Sequence, residues 1–122
     1  MSRAWLAAAA IGGSLSVIAG AAAAHVTLGG KSIELLRTGA LYGIAHAAAL
    51  VAVAAMAGLR NPRDLALTIA GWGFALGILL FSLSLFALAL IGSQWLAAIT
   101  PFGGVGFLVG WAALGAHAFR RR

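Results

Sequence analysis

Glu34, Thr38, Tyr42 and His46 recur every fourth residue within "SIELLRTGALYGIAH", Ser32–His46. On a helix such a row shares one face and drifts slowly around it. These side chains can hydrogen-bond, move protons or contribute to a metal site. If Gly39 marks the membrane surface, His46, seven residues on, lies roughly 10 Å deep. An ionisable residue inside a span is costly, which makes it a functional candidate. Ser84, seven residues before Ile91, falls at a similar depth, and Ser82 slightly deeper. His25 and Thr100 close the outer ends of the first and fourth apolar runs. The expectation is a binding pocket formed by His25, Thr38, Tyr42, His46, Ser82, Ser84 and Thr100. The competing reading makes each an interhelical hydrogen-bond partner, worth about 1 kcal/mol or less.

The same inventory restricts the chemistry. Asp64 and Glu34 are the only acids, and the order of the apolar runs puts them on opposite sides of the membrane. No Ser-His-acid set can be assembled, so no catalytic residue is expected and the chain does not read as an enzyme. His25 and His46 supply two metal ligands with no carboxylate at their depth, and His117 lies at the other end, so no metal site is expected. Bis-His haem ligation by His25 and His46 conflicts with their different depths. No cofactor is expected. The glycines of the last run lack the Lys and Ser/Thr of a phosphate loop. There are no cysteines, which excludes disulfides and thiolate chemistry.

These side chains need elements to carry them. The 122 residues are 63% hydrophobic and 8% charged, whereas soluble domains run near about 25% charged. Four runs are long enough to cross a bilayer: 4–24, 39–59, 65–91 and 99–119. They predict an all-α membrane protein, a single domain over 1–122 forming a bundle of four transmembrane helices. A short amphipathic lead-in precedes the second helix. Gly29-Gly30 can end the first helix. Asn61 can cap the third, with Pro62 following and Asp64 in the first turn. Gly92-Ser93-Gln94 separates the third from the fourth, which Thr100 and Pro101 would begin as cap and first residue.

Net charge is +6, concentrated beside the apolar runs. Arg3, Arg60, Arg63 and Arg120 to Arg122 share one side of a four-span chain; Lys31 and Arg37 occupy the other. The positive-inside rule then places both termini in the cytoplasm. No broad basic face on a soluble domain is present, so nucleic acid is not an expected partner. Trp5 and Trp95 fall where interfacial anchors belong. Arg3, an apolar run and "AGAAAA" also resemble a secretory signal cleaved after Ala24, but the run is longer than a usual signal core and reads better as a span.

Close packing must hold such a bundle together, because lipid gives no hydrophobic drive for helix association. Small residues recur at fourfold spacing: Gly12, Ser16 and Gly20; Gly39, Gly43 and Ala47; Gly73 and Gly77; Gly106 and Gly110. Each set predicts a smooth face for a neighbouring helix. Trp72 and Trp111 sit near mid-membrane, where an indole N–H wants an acceptor.

"GAAAAH", "TGALYGIAHAAAL", "LFSLSLFALAL" and "ITPFGGVGFLVGWAAL" touch all four spans. Together they resemble the small membrane proteins grouped as domain of unknown function 423. The resemblance implies a four-helix inner-membrane protein. It carries no activity, substrate or catalytic residue. By motif, the seven pocket residues and Pro101 match the family's signature polar positions. Gly43 and Leu83 depart from the pattern, where Gln and Gly are usual.

The reading this supports is an accessory or binding subunit that packs with a larger membrane complex or with lipid in the bacterial inner membrane. A transporter or channel component for a small solute, proton or lipid is the alternative, and a haem- or metal-binding membrane protein the third. Expected partners are the bilayer and a larger membrane complex or a homo-oligomer.

Overall fold

A computed structural model describes residues 2–25, 29–59 and 64–120. Four helices carry the chain: α1 (Ser2–His25), α2 (Gly30–Leu59), α3 (Leu65–Ile91) and α4 (Gln94–Arg120). All four are long and apolar enough to cross a membrane. In lipid a helix satisfies its own backbone polar groups, which is why such runs take this form.

The helices pack antiparallel. Ala19 and Ala23 of α1 meet Leu36 and Ala40 of α2 in one apolar cluster. Trp5 of α1 meets Trp72 of α3 edge-on, with ring centroids 6.2 Å apart. Asp64 before α3 meets His117 near the end of α4. The start of α1 and the end of α4 therefore share one end of the bundle. α1 packs chiefly on α2, α4 chiefly on α3, and α3 touches all three others. The main core gathers Trp5, Leu50, Leu67, Phe74, Ile78 and Phe107 from all four helices.

The structure corrects the sequence reading at two helix starts and at one tryptophan. α4 begins at Gln94, so Thr100 and Pro101 lie inside it rather than starting it. Proline removes the N–H that would bond the carbonyl of Ala97, and membrane helices tolerate this where neighbours compensate. Asp64, not Asn61, caps α3: its Oδ1 accepts the Leu67 amide at 3.2 Å. Asn61 and Pro62 lie outside the described residues. Trp5, expected at an interface, is 1% exposed and lies in the core against Gly71. Trp95 is exposed. The turn before α4 needs a left-handed residue, and Gly92 supplies it at φ 81°.

Seven of the eight expected packing glycines lie at tight contacts. A methyl group on Gly73 would stand 2.9 Å from the Gly106 carbonyl oxygen and 3.0 Å from the Gly110 amide. Gly77 meets Phe107, Gly110 meets Phe74, Gly12 meets Ile78, Gly39 meets Phe86, and Gly43 meets the Ser16 hydroxyl. Gly20 is different: a methyl there meets Ala40 at an ordinary 3.6 Å. Gly71 and Gly103 join the set. Gly103 abuts the backbone of Leu80 and Phe81, inside a π-helical turn, Ile78–Leu83, that interrupts α3. Such turns insert one residue into the helical ladder and re-aim the side chains beyond it.

Candidate functional site

His46 is the most buried member of the expected polar row, at 6% exposure. Its Nδ1 lies 2.7 Å from the Tyr42 carbonyl oxygen. A carbonyl only accepts, so Nδ1 carries the proton and Nε2 is left as an acceptor. Trp111 donates its indole N–H to that Nε2 at 3.0 Å. The imidazole also stacks on Phe107, with centroids 3.6 Å apart, and Phe74 closes another side at 5.7 Å. Both ring nitrogens of a neutral imidazole are thus occupied, and aromatic rings sheathe it.

Helix geometry explains this cage. Tyr42 is one turn before His46, so its carbonyl is the natural local acceptor. Phe107 and Trp111 are likewise one turn apart on α4. Trp111 keeps 47% of its surface exposed, so its indole body faces outward while its polar edge reaches in. Tyr42 is part of the same aromatic group, 5.0 Å from Phe81 by ring centroid.

The other expected pocket members separate from His46. The hydroxyls of Ser84 and Thr100 meet at 2.7 Å, joining α3 to α4. Ser84 also lies 2.5 Å from the Leu80 carbonyl, and Thr100 lies 3.2 Å from that of Leu96. Ser82 is fully buried and turns towards Gly43; its hydroxyl has no partner among the described residues. His25 and Thr38 are exposed. The expected pocket therefore divides by depth and facing: His46 goes to the aromatic cage, Ser84 and Thr100 to a second contact, and Ser82 to the crossing of α1, α2 and α3.

That second contact borders a cleft of about 580 Å³ at the end opposite the termini. Leu35 of α2, Phe81, Leu85 and Leu88 of α3, and Ala97 of α4 form apolar walls. Lys31, Ser32 and Gln94 stand at its rim, and Thr100 and Pro101 border it further along α4. Sequence periodicity carries no sign of this cleft, because its lining comes from three helices.

A third polar group lies at the end that holds the termini. His117 Nδ1 and Asp64 Oδ2 are 2.9 Å apart, and Arg120 approaches Asp64 Oδ1 at 4.0 Å. Burial opposes ionisation of Asp64. The Leu67 amide, the charge and hydrogen bond of His117, and the Ala66 amide outweigh it and hold the carboxyl below its ordinary value. No three His, Asp or Glu side chains among the described residues are placed to hold a metal ion.

A family model described as a protein of unknown function, DUF423, matches residues 19–104. The UPF0382 membrane protein of Haemophilus influenzae is 38% identical over 125 residues, covering 100% of this chain and 98% of the relative. UPF0382 membrane protein YwdK of Bacillus subtilis is 39% identical over 105 residues, covering 84% and 85%. UPF0382 inner membrane protein YgdD of Escherichia coli is 38% identical over 128 residues, covering 98% and 92%. No solved structure matches. With the match extending through all four membrane-spanning helices, the chain belongs to the DUF423 family of membrane proteins.

Proposed function

We propose that this protein is a non-catalytic binding subunit of the membrane, which packs with a larger membrane complex or holds lipid. The observation that carries this reading is the state of His46. Both its ring nitrogens are engaged, one by the Tyr42 carbonyl and one by Trp111. A general base or a haem ligand needs a free nitrogen lone pair directed at its target. Here that lone pair accepts the hydrogen bond from the Trp111 N–H, so His46 serves to join α2 to α4. Ser84 and Thr100 are spent in the same way between α3 and α4.

Native mass spectrometry on protein extracted in mild detergent tests the proposal. A stoichiometric partner or a retained lipid is the expected result. Bare protein, together with solute flux in liposomes, would overturn it in favour of transport. The cleft is what favours that second reading, since it opens a partly polar space beside Thr100.

A further inference from the structure

We propose that the cleft between α2, the far part of α3 and the beginning of α4 holds an anionic phospholipid, with the phosphate at Lys31 and an acyl chain along Leu85 and Leu88. This rests on the reading of the protein as a binding subunit and names what it binds.

Three observations converge. The first is shape. The cleft, at about 580 Å³, falls in the range of about 300–1,000 Å³ typical of small-molecule sites. It lies on a bundle whose surroundings are lipid. The second is polarity along its length. Lys31, Ser32 and Gln94 stand where α2 and α4 begin, while Leu35, Leu85, Leu88 and Ala97 make the walls. A polar rim over apolar walls matches a molecule with a polar head and a hydrocarbon tail. The third is charge. Among the described residues, Lys31 is the charged side chain of the lining, and no carboxylate joins it. α2 and α4 start at this rim and α3 ends there at Gly92, so the helix dipoles offset one another and the ammonium sets the sign of the field. An anionic phosphate fits that field. A free phosphate would leave the apolar walls unused, and an apolar partner helix would leave Lys31 without a counter-charge.

The test titrates purified full-length protein in detergent with dioleoyl phosphatidylglycerol or dioleoyl phosphatidylethanolamine and counts adducts by native mass spectrometry. The protein is expected to retain the phosphatidylglycerol preferentially. Lys31→Gln should reduce that retention about fivefold and leave phosphatidylethanolamine unchanged. Ala97→Trp, at an exposed position on the cleft wall, should remove both lipids by filling the space of the chain. Arg37→Gln, exposed on α2 but outside the lining, should match the unmodified protein. Circular dichroism confirms that each variant is folded. Equal retention by Lys31→Gln, or an equal loss in Arg37→Gln, would overturn the proposal by reducing it to general surface attraction. Displacement by inorganic phosphate with no effect of Ala97→Trp would overturn it in favour of a free-anion site. A protein partner that persists while the cleft variants bind lipid normally would sink the cleft assignment and leave the binding-subunit reading standing. Absence of both partner and lipid would sink both.

Discussion

The indole N–H of Trp111 is hydrogen-bonded to Nε2 of His46 at 3.0 Å, across the gap between α4 and α2. This contact takes up the two groups that the sequence leaves in greatest need of a partner: a mid-span imidazole and a mid-span indole. Trp111→Phe keeps an aromatic ring but removes the donor. The expected cost is about 1 kcal/mol, the scale of one hydrogen bond inside a membrane bundle. His46→Ala should cost more, because the stacking on Phe107 is lost too. Unfolding in mixed detergent micelles, run as a double-mutant cycle, measures the coupling. Strict additivity of the two changes would show that the bond contributes nothing.

The glycine contacts predict a graded series. At Gly73 a methyl group would meet backbone atoms of α4 at 2.9 and 3.0 Å, and backbone cannot swing aside as a side chain can. Gly73→Ala should therefore destabilise by about 1–3 kcal/mol, as overpacking does. Gly20→Ala, with only the Ala40 methyl at 3.6 Å, should lie within about 0.5 kcal/mol of the parent. Thermal unfolding of the two variants side by side checks this. Equal stabilities would mean that the α3–α4 crossing is looser than its contacts indicate.

Part of this arrangement is legible in the sequence and part is not, and the division has a physical basis. Fourfold spacing finds a packing face because a helix repeats on nearly that period, so Gly73, Gly77, Gly106 and Gly110 can be read directly. Thr100-Pro101 misleads, because rules for helix starts assume that proline cannot sit inside a helix. In α4 the helix simply continues through Pro101. Counting from the helix ends puts His46 and Ser84 at one depth, but Ser84 meets Thr100 while His46 meets Phe107 and Trp111, roughly two to three turns further along α4. The π turn at Ile78–Leu83 shifts the phase of α3, and a fixed period cannot register that shift. Asp64 and His117 both fall at the end holding the termini by simple order along the chain. Their pairing stays hidden while each is weighed alone, Asp64 as a first-turn charge and His117 as a residue remote from the polar row.

Ser82 and Ser84 should respond oppositely to the same substitution. Ser84 bonds to Thr100 and to the Leu80 carbonyl, so Ser84→Ala is expected to cost up to about 1 kcal/mol. Ser82 is completely buried, and its hydroxyl has no partner among the described residues. An unpaired buried hydroxyl is itself unfavourable, so Ser82→Ala should be neutral or stabilising. Detergent unfolding midpoints decide the matter. A loss at Ser82 as large as that at Ser84 would refute the assignment.

Acid should weaken the end of the bundle that holds the termini before the rest. The Leu67 amide and His117 draw the Asp64 carboxyl below its ordinary value despite burial. A carboxyl whose folded value is depressed gives its stabilisation above the unfolded value, about 3.9 for aspartate. That stabilisation is lost as pH falls through the lower, folded value. Asp64→Asn keeps a side-chain oxygen for the Leu67 amide but has no charge to lose. The parent protein should therefore lose thermal stability between roughly pH 4 and the acid limit, while Asp64→Asn should show a flatter acid limb and a lower plateau at neutral pH. The side-by-side pH series isolates the cap from other titrating groups, because Glu34 and the basic residues are common to both proteins. Parallel acid limbs would show that the pairing of Asp64 with His117 and the Leu67 amide does not stabilise the folded bundle.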